Sequence, residues 1–173
     1  MTMSGCKYKI LLLAVLLLPL SVGAGVVDKY VSKIHFGGFM RATHVTASGM
    51  NLYVSIDNGI GHNIVIKSCS AVISRGGVEI MTIDLRDRVV VPKRSVSEVL
   101  LPLRFRGDSS MSILMLLRRI LDGRIDDLTV TLTARVRVSV VSKTFSMQNI
   151  AMSEILDTFG VEIDDVQQLI DLL

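Results

Sequence analysis

The stretch Leu128–Val138, LTVTLTARVRV, alternates apolar and polar residues at every position. Successive side chains of an extended strand point to opposite faces, so this alternation predicts a strand with one buried and one solvated face. The same pattern recurs over Met50–Asp57, and apolar residues again occupy every second position at Val99, Leu101, Leu103 and Phe105. Strands that bury only one face are typical of antiparallel sheets. The sequence therefore predicts a mainly β protein that packs two antiparallel layers into a sandwich.

The connecting segments predict how the strands follow one another. Gly76-Gly77 lies between two apolar stretches, Asn63–Ser74 and Val78–Leu85, and has the length and composition of a tight hairpin loop. A further strand is predicted over Val96–Arg106. It contains Pro102, which cannot donate a ladder hydrogen bond, so we expect this strand to lie at an edge or to be bulged there.

The N-terminal part of the sheet and the helices are predicted from weaker patterns. Tyr30–Phe36 and Met40–Ala47 fit either two short strands or one bent strand around a glycine pair. One inserted helix is predicted over Met111–Leu121, where apolar residues fall at helical spacing and Gly123 stands ready to end the helix. A C-terminal amphipathic helix is predicted because Asp164-Asp165 precedes an apolar stripe at i, i+3, i+4 and i+7.

The N-terminus has the layout of a secretory signal, because Lys7 and Lys9 precede an uncharged, leucine-rich run from Ile10 to Val27. Small residues before Gly25 predict a signal peptide over residues 1–24 and one exported domain over residues 25–173, with its core at about 33–147. Such a protein would be periplasmic or secreted. The alternative is an uncleaved anchor in the inner membrane formed by residues 10–27, whose length lies at the lower limit for spanning a bilayer.

Charge gives little indication of a nucleic-acid partner. The whole chain carries a net charge of +3, and this falls to +1 without Lys7 and Lys9. Basic residues on two predicted strands could form a stripe, but few aromatic residues accompany them for stacking bases. We therefore expect no nucleic-acid partner. These basic residues are Arg104, Arg106, Arg135 and Arg137.

No reactive cluster stands out, and the sequence predicts no catalytic residue, metal site or cofactor. Cys69 would be the only cysteine of the exported domain, which excludes an internal disulfide, and a small buried thiol is its expected role. The spacing of the three histidines matches no ligand motif. Two acidic pairs are interpreted as solvated or capping carboxylates. These residues are His35, His44 and His62, and Asp126-Asp127 and Asp164-Asp165.

The feature that favours binding is the helix Met111–Leu121, because its apolar residues surround the axis almost completely. One sheet face cannot cover them all. Either the C-terminal stripe covers the second face, which we favour, or an apolar surface is left for a partner, lipid or membrane. The candidate apolar surface consists of Met111, Leu114, Met115, Val166, Leu169, Ile170 and Leu173.

Several elements in order resemble the late embryogenesis abundant type 2 family, also called the water stress and hypersensitive response (WHy) domain. They are the strand 50–57 ending in Asn58-Gly59, the strand 63–74, the Gly76-Gly77 hairpin, and VPKRS at 91–95 leading into VLLPL at 99–103. The family typically has Asn-Pro where this chain has Asn58-Gly59. The resemblance, over about residues 33–147, implies a seven-stranded immunoglobulin- or fibronectin III-like sandwich with a helix on one side. It also implies a non-enzymatic role in the bacterial cell envelope or in stress protection.

Three functional hypotheses follow. The first is a non-enzymatic, exported binding or structural module that engages a protein, lipid or other envelope component through strand edges or the apolar helix. The second is a carrier of an apolar ligand or lipid held between the helix 111–121 and the sheet. The third is an enzyme that uses Cys69 or the acidic pairs, and it predicts an activity that is lost in Cys69→Ala.

Overall fold

The computed structural model describes residues 33–107, 110–159, 162, 164, 166, 167 and 171. The predicted signal peptide or anchor lies outside this part of the chain. None of the helices in the described part has the length and apolar character needed to cross a bilayer.

Antiparallel strands dominate the described residues, as the alternating patterns predict. Eight strands form one sheet, one more than the resemblance implies, because the short β5 pairs separately with β3. The strands are β1 Ile34–Thr46, β2 Gly49–Asn58, β3 Ile64–Arg75, β4 Val78–Leu85, β5 Val89–Val91, β6 Ser95–Gly107, β7 Leu128–Val138 and β8 Val141–Ala151; the helices are α1 Ser110–Leu121 and α2 Met152–Phe159.

The sheet curls because two of its strands change partners along their length. The order is β1-β2-β6-β4-β3-β7-β8. β6 pairs with β2 over Ser95–Arg104 and with β4 over Leu103–Gly107. β3 pairs with β5 over Ile64–Ile66 and with β4 over Ser70–Arg75. The sheet thus divides into a first arm (β1, β2 and the start of β6) and a second arm (the start of β3, with β5, β7 and β8), joined through β4.

Two hydrophobic cores follow from this division. The inward residues of both arms share the first core, to which Val54 and Val99 contribute from the first arm and Val91 and Val136 from the second. The second core lies where the sheet is continuous and the helices cover it, and it includes Leu128, Met81 and Leu116. We call the end of the molecule that carries α1, α2 and the Gly76-Gly77 hairpin the helix end.

Pro102 was expected at an edge or a bulge, and this prediction is wrong because β6 lies inside the sheet. Pro102 is paired in regular register with Asn51 of β2. Its carbonyl oxygen accepts a 2.8 Å hydrogen bond from the Arg86 N–H, on the side away from β2. The N and C=O of one residue point to the same side in an antiparallel strand. The backbone nitrogen of Pro102, which has no hydrogen to donate, therefore faces the point where β4 and β6 separate. The position without a donor thus lies just beyond the last β4–β6 pair, Leu85 with Leu103.

The two edge strands are both interrupted. β1 is one bent strand, with irregularities at Phe36/Gly38 and Phe39/Arg41, and β8 is interrupted opposite Thr131. Such bulges hinder the addition of a further strand from another chain. On the first edge Arg41 stacks 3.7 Å from the centre of the Tyr53 ring and pairs with Glu98 at 2.6 Å, which keeps this edge solvated.

The predicted helix 111–121 is confirmed, as is its termination at Gly123. Gly123 has φ +68°, a conformation that glycine adopts without a Cβ clash. Its N–H donates to the Ile120 carbonyl and the Arg124 N–H donates to the Arg119 carbonyl. This pair of bonds is the Schellman arrangement, and it satisfies carbonyl groups at the end of α1.

Candidate interaction surface

α1 has one buried and one exposed side in the described part of the helix. Ile113 and Leu116 are buried against the second core, and Leu117 and Ile120 are partly buried beside them. Leu114 and Met115 point away from this core and are 37% and 60% exposed. We call Leu114 and Met115 the outer helix surface. Two exposed apolar side chains side by side on one helix make this surface the candidate contact with another molecule.

The other residues of the predicted apolar surface are placed less completely. Met111 lies in α1, but its side chain is outside the described residues, as are Leu169, Ile170 and Leu173. Residues 164, 166, 167 and 171 are helical, as predicted for the C-terminal helix, and the Val166 N–H donates to the Glu162 carbonyl at 3.3 Å. Val166 itself is buried. Cover of α1 by the other residues of the C-terminal stripe stays a prediction, whereas Leu114 and Met115 themselves are exposed.

The Asp126-Asp127 pair shows a structural role that the sequence did not reveal. Asp127 accepts from the Arg75 Nε at 2.7 Å and from the Arg119 Nη2 at 2.7 and 2.9 Å. Hydrogen bonding from Arg75, with a further contribution from Arg119, lowers the pKa of the Asp127 carboxyl. Asp127 therefore ties the β3–β4 hairpin to α1, which steadies the helix that carries the outer helix surface.

The histidines are dispersed along the first arm and its loop. His35 and His44 both lie on β1, whereas His62 follows β2 in a loop. His44 Nδ1 lies 3.2 Å from the Thr43 hydroxyl and 3.4 Å from the Asn51 amide nitrogen. Within the described residues, no three His, Cys, Asp or Glu side chains are grouped in a way that could hold a metal ion.

The predicted basic stripe is partly neutralised. Arg106 Nε and Asp84 form an ion pair at 2.5 Å. Partial burial of Asp84 opposes ionisation, but hydrogen bonds from Arg106 and Ser70 outweigh it and lower the pKa of this carboxyl. Arg104 lies near the same carboxylate, while Arg135 and Arg137 are on β7.

Asn58 follows the predicted strand 50–57, yet it is fully buried and joins two loops. Its Nδ2 donates to the carbonyl oxygens of His62, Val91 and Pro92, at 3.2, 3.3 and 2.9 Å. Its Oδ1 accepts from the Ile60 N–H at 3.1 Å. One side chain thus fastens the β2–β3 loop to the end of β5. An Asn at the end of a strand is the sequence signal, but two of its partners, Val91 and Pro92, lie more than thirty residues away.

Cys69 packs against the first core, and burial, followed by the nearby Asp84 charge, raises the pKa of its thiol to about 11. We expect the native protein to react slowly with a maleimide near neutral pH, because little thiolate is present and the sulfur is shielded. The unfolded protein should react readily. Comparing labelling rates with and without denaturant, in Cys6→Ser to remove the other cysteine, measures this.

The Cys69 thiol makes the stability of the protein depend on pH, and the sign of this dependence is definite. The folded-state pKa of Cys69 is raised above the ordinary value of 9.0, so its contribution to stability is complete below pH 9.0 and is lost as the pH rises towards about 11. Cys69→Ala should remove this part of the loss of stability at alkaline pH.

Fast maleimide labelling of the folded chain at neutral pH would contradict the burial of the Cys69 thiol.

Comparisons with known proteins add no argument about function. No family model matches the chain, and no curated protein matches it. Among solved structures, it is similar to a crystal structure of a protein from Archaeoglobus fulgidus, with 14% identity, 68% of this chain and 99% of that chain covered, and a TM-score of 0.38. It is also similar to a crystal structure titled yeast GGA1 GAE domain-P21, with 10% identity, 67% and 87% covered, and a TM-score of 0.26.

Proposed function

We propose that this protein is a non-enzymatic, exported binding module of the cell envelope that engages its partner through the outer helix surface. The supporting observation is the exposure of Leu114 and Met115 on a helix whose opposite side is already buried in the second core. Export is supported by the sequence pattern of residues 1–24. Anchoring by residues 10–27 is the alternative and would place the module at the inner membrane.

The packing of α1 against the second core argues against the alternative that the protein carries an apolar ligand. The side of α1 that faces the sheet is filled by the protein's own residues, among them Ile113 and Leu116 against Leu128 and Met81. An apolar ligand between α1 and the sheet would require the helix to move and Asp127 to release Arg119. A binding module needs neither change, which is why we favour it.

We also propose that the curled sheet is an immunoglobulin- or fibronectin III-like sandwich of the late embryogenesis abundant type 2 kind. The supporting features are the two arms with a shared core and the buried Asn58 at the position where that family has Asn-Pro. A role in hydration stress would follow only from this family assignment.

Site-specific photo-cross-linking in cells tests the binding proposal. A photoreactive residue at Met115 should yield a discrete adduct in the envelope fraction. The matched control is Val96, which is 72% exposed on β6 and lies outside the proposed surface. In a second experiment the photoreactive residue replaces Leu114. Met115→Asp should then reduce the yield of the adduct by at least about tenfold, since burying an unpaired carboxylate in an apolar contact is costly. The Tm of that variant should change little because Met115 is exposed.

Two results would contradict the proposal. One is equal cross-linking at positions 115 and 96. The other is a measured turnover on any substrate that depends on a particular side chain of this protein, which would make it an enzyme.

A further inference from the structure

The end of the molecule opposite the helix end carries unneutralised positive charge. Three loops and strand ends meet there: the start of β1, the β2–β3 loop and the β5–β6 loop, because Ile34, Asn58 and Ser95 are in register and Ile64 pairs with Val91. Lys33, Lys93 and Arg94 are exposed at this end. None of the ion pairs between described residues involves them.

We call this region the basic end, defined by Lys33, residues 59–63, residues 92–94, and Ser139 and Val140. Its loops contain no carboxylate, and the nearest one along the chain is Asp57 on β2. The helix end differs, since carboxylates are frequent there and Arg75 and Arg119 are paired with Asp127. The carboxylates at the helix end include Glu79, Asp122, Asp126, Asp127, Glu154 and Asp157.

An apolar hairpin tip projects from the basic end. Val138 and Val141 pair across the β7–β8 turn, and Val138 is in register with Ile64, which places the turn beside the β2–β3 loop. Val140 is 91% exposed at this tip, and Ser139 beside it has φ +56°. An exposed apolar residue next to several cations is the composition that favours the interface of an anionic bilayer.

Both versions of the N-terminal prediction bring this end near a membrane. A signal peptide does so during export, before it is cleaved, and an uncleaved anchor does so permanently. The uncharged segment Ile10–Val27 ends six residues before Lys33. Six residues span at most about 20 Å when fully extended. Whatever holds that segment at a bilayer therefore keeps the basic end within this distance of the lipid headgroups.

We propose that the basic end docks on a bilayer surface containing anionic lipids, with Lys33, Lys93 and Arg94 near the headgroups and Val140 inserted at the interface. The Asn58 hydrogen bonds hold the β2–β3 loop to the end of β5, and the Gly59 N–H of the same loop donates to the Lys33 carbonyl at 2.7 Å, so the three cations are presented as one surface. The helix end and its outer helix surface then point away from the membrane. This proposal rests on the N-terminal part of the proposed function for its closeness to a membrane, but it uses residues other than those of the outer helix surface, so the two binding surfaces are tested separately.

The test is a dye at Val140 in the full chain. Val140→Cys in a Cys6→Ser background is labelled with an environment-sensitive maleimide dye, while Cys69 stays shielded, and the protein is reconstituted in phosphatidylcholine vesicles with or without phosphatidylglycerol. We expect a blue shift of the emission only with phosphatidylglycerol. A dye at Val78→Cys, on the exposed hairpin of the helix end, should show no shift.

Charge variants separate docking from misfolding. The double variant Lys93→Gln/Arg94→Gln should lose the shift, whereas Arg88→Gln/Arg124→Gln removes the same charge from exposed residues elsewhere and should keep it. Raising the salt from about 0.1 to 1 M shortens the screening length from about 10 to about 3 Å and should also abolish the shift. Equal emission from the two dye positions, a shift in pure phosphatidylcholine that the charge variants leave unchanged, or a shift produced by an added soluble protein without vesicles would overturn the proposal.

Discussion

Asn58→Ala is expected to lower the free energy of unfolding by about 4 kcal/mol, because the buried Val91 carbonyl and Ile60 N–H lose the side-chain partner that they have in the folded protein. The side chain makes three donor contacts and accepts one, and it has no access to solvent. Alanine removes all four contacts, of which those to Val91 and Ile60 are buried. Urea unfolding followed by circular dichroism measures the loss.

Asn63→Ala is the matched control in the same loop. Asn63 is exposed and accepts one hydrogen bond, 2.9 Å from the Lys93 N–H, so water can replace it. We expect a loss of at most about 1 kcal/mol. Equal losses in the two variants would show that Asn58 does not join the two loops as described.

Asn58→Asp adds a pH test with a definite sign. A carboxylate facing three carbonyl oxygens is disfavoured, whereas the protonated acid can still donate one hydrogen bond. The folded-state pKa of this new group would therefore be raised above the unfolded value. Its destabilisation should be greatest at neutral pH and should decrease as the pH falls, which Asn58→Ala does not do.

The sequence predicts single elements better than it predicts how they meet. The alternation in Leu128–Val138 and the Gly76-Gly77 turn are local signals, and both give elements that the structure contains within a residue or two. The prediction of an edge or a bulge at Pro102 was wrong, because proline is compatible with an internal strand at the point where the neighbouring strand departs. That departure depends on β4, whose partner in β6 is distant in sequence.

The same limit of sequence-based prediction applies to the candidate interaction surface. Helical spacing identifies Met111–Leu121, but it cannot say which of its apolar residues face the second core, because nearly all positions are apolar. Asp127 likewise looks like a capping carboxylate until β3 and α1 bring Arg75 and Arg119 to it. The net charge of the nearly neutral domain does not reveal the basic end, because its three cations come from two separate segments, at Lys33 and at Lys93-Arg94.

Leu128→Ala is expected to destabilise the protein by about 3 kcal/mol, because it opens a cavity at the centre of the second core. Leu128 is fully buried among Ile73, Met81 and Leu116, and therefore supports the contact between α1 and the sheet. Leu100→Ala is the matched control: the same atoms are removed from an exposed position on β6, and we expect a loss below about 1 kcal/mol.

Amide hydrogen exchange locates the effect of Leu128→Ala. Protection should fall first in α1 and in the start of β7, while the amides of β5, which belong to the first core, should change less. Because the outer helix surface is held in place by this packing, cross-linking from position 115 should weaken in parallel, even where most of the protein remains folded. Uniform loss of protection in both cores would instead mean that the two unfold as one cooperative unit, and partner binding would then follow global stability and not the local support of α1.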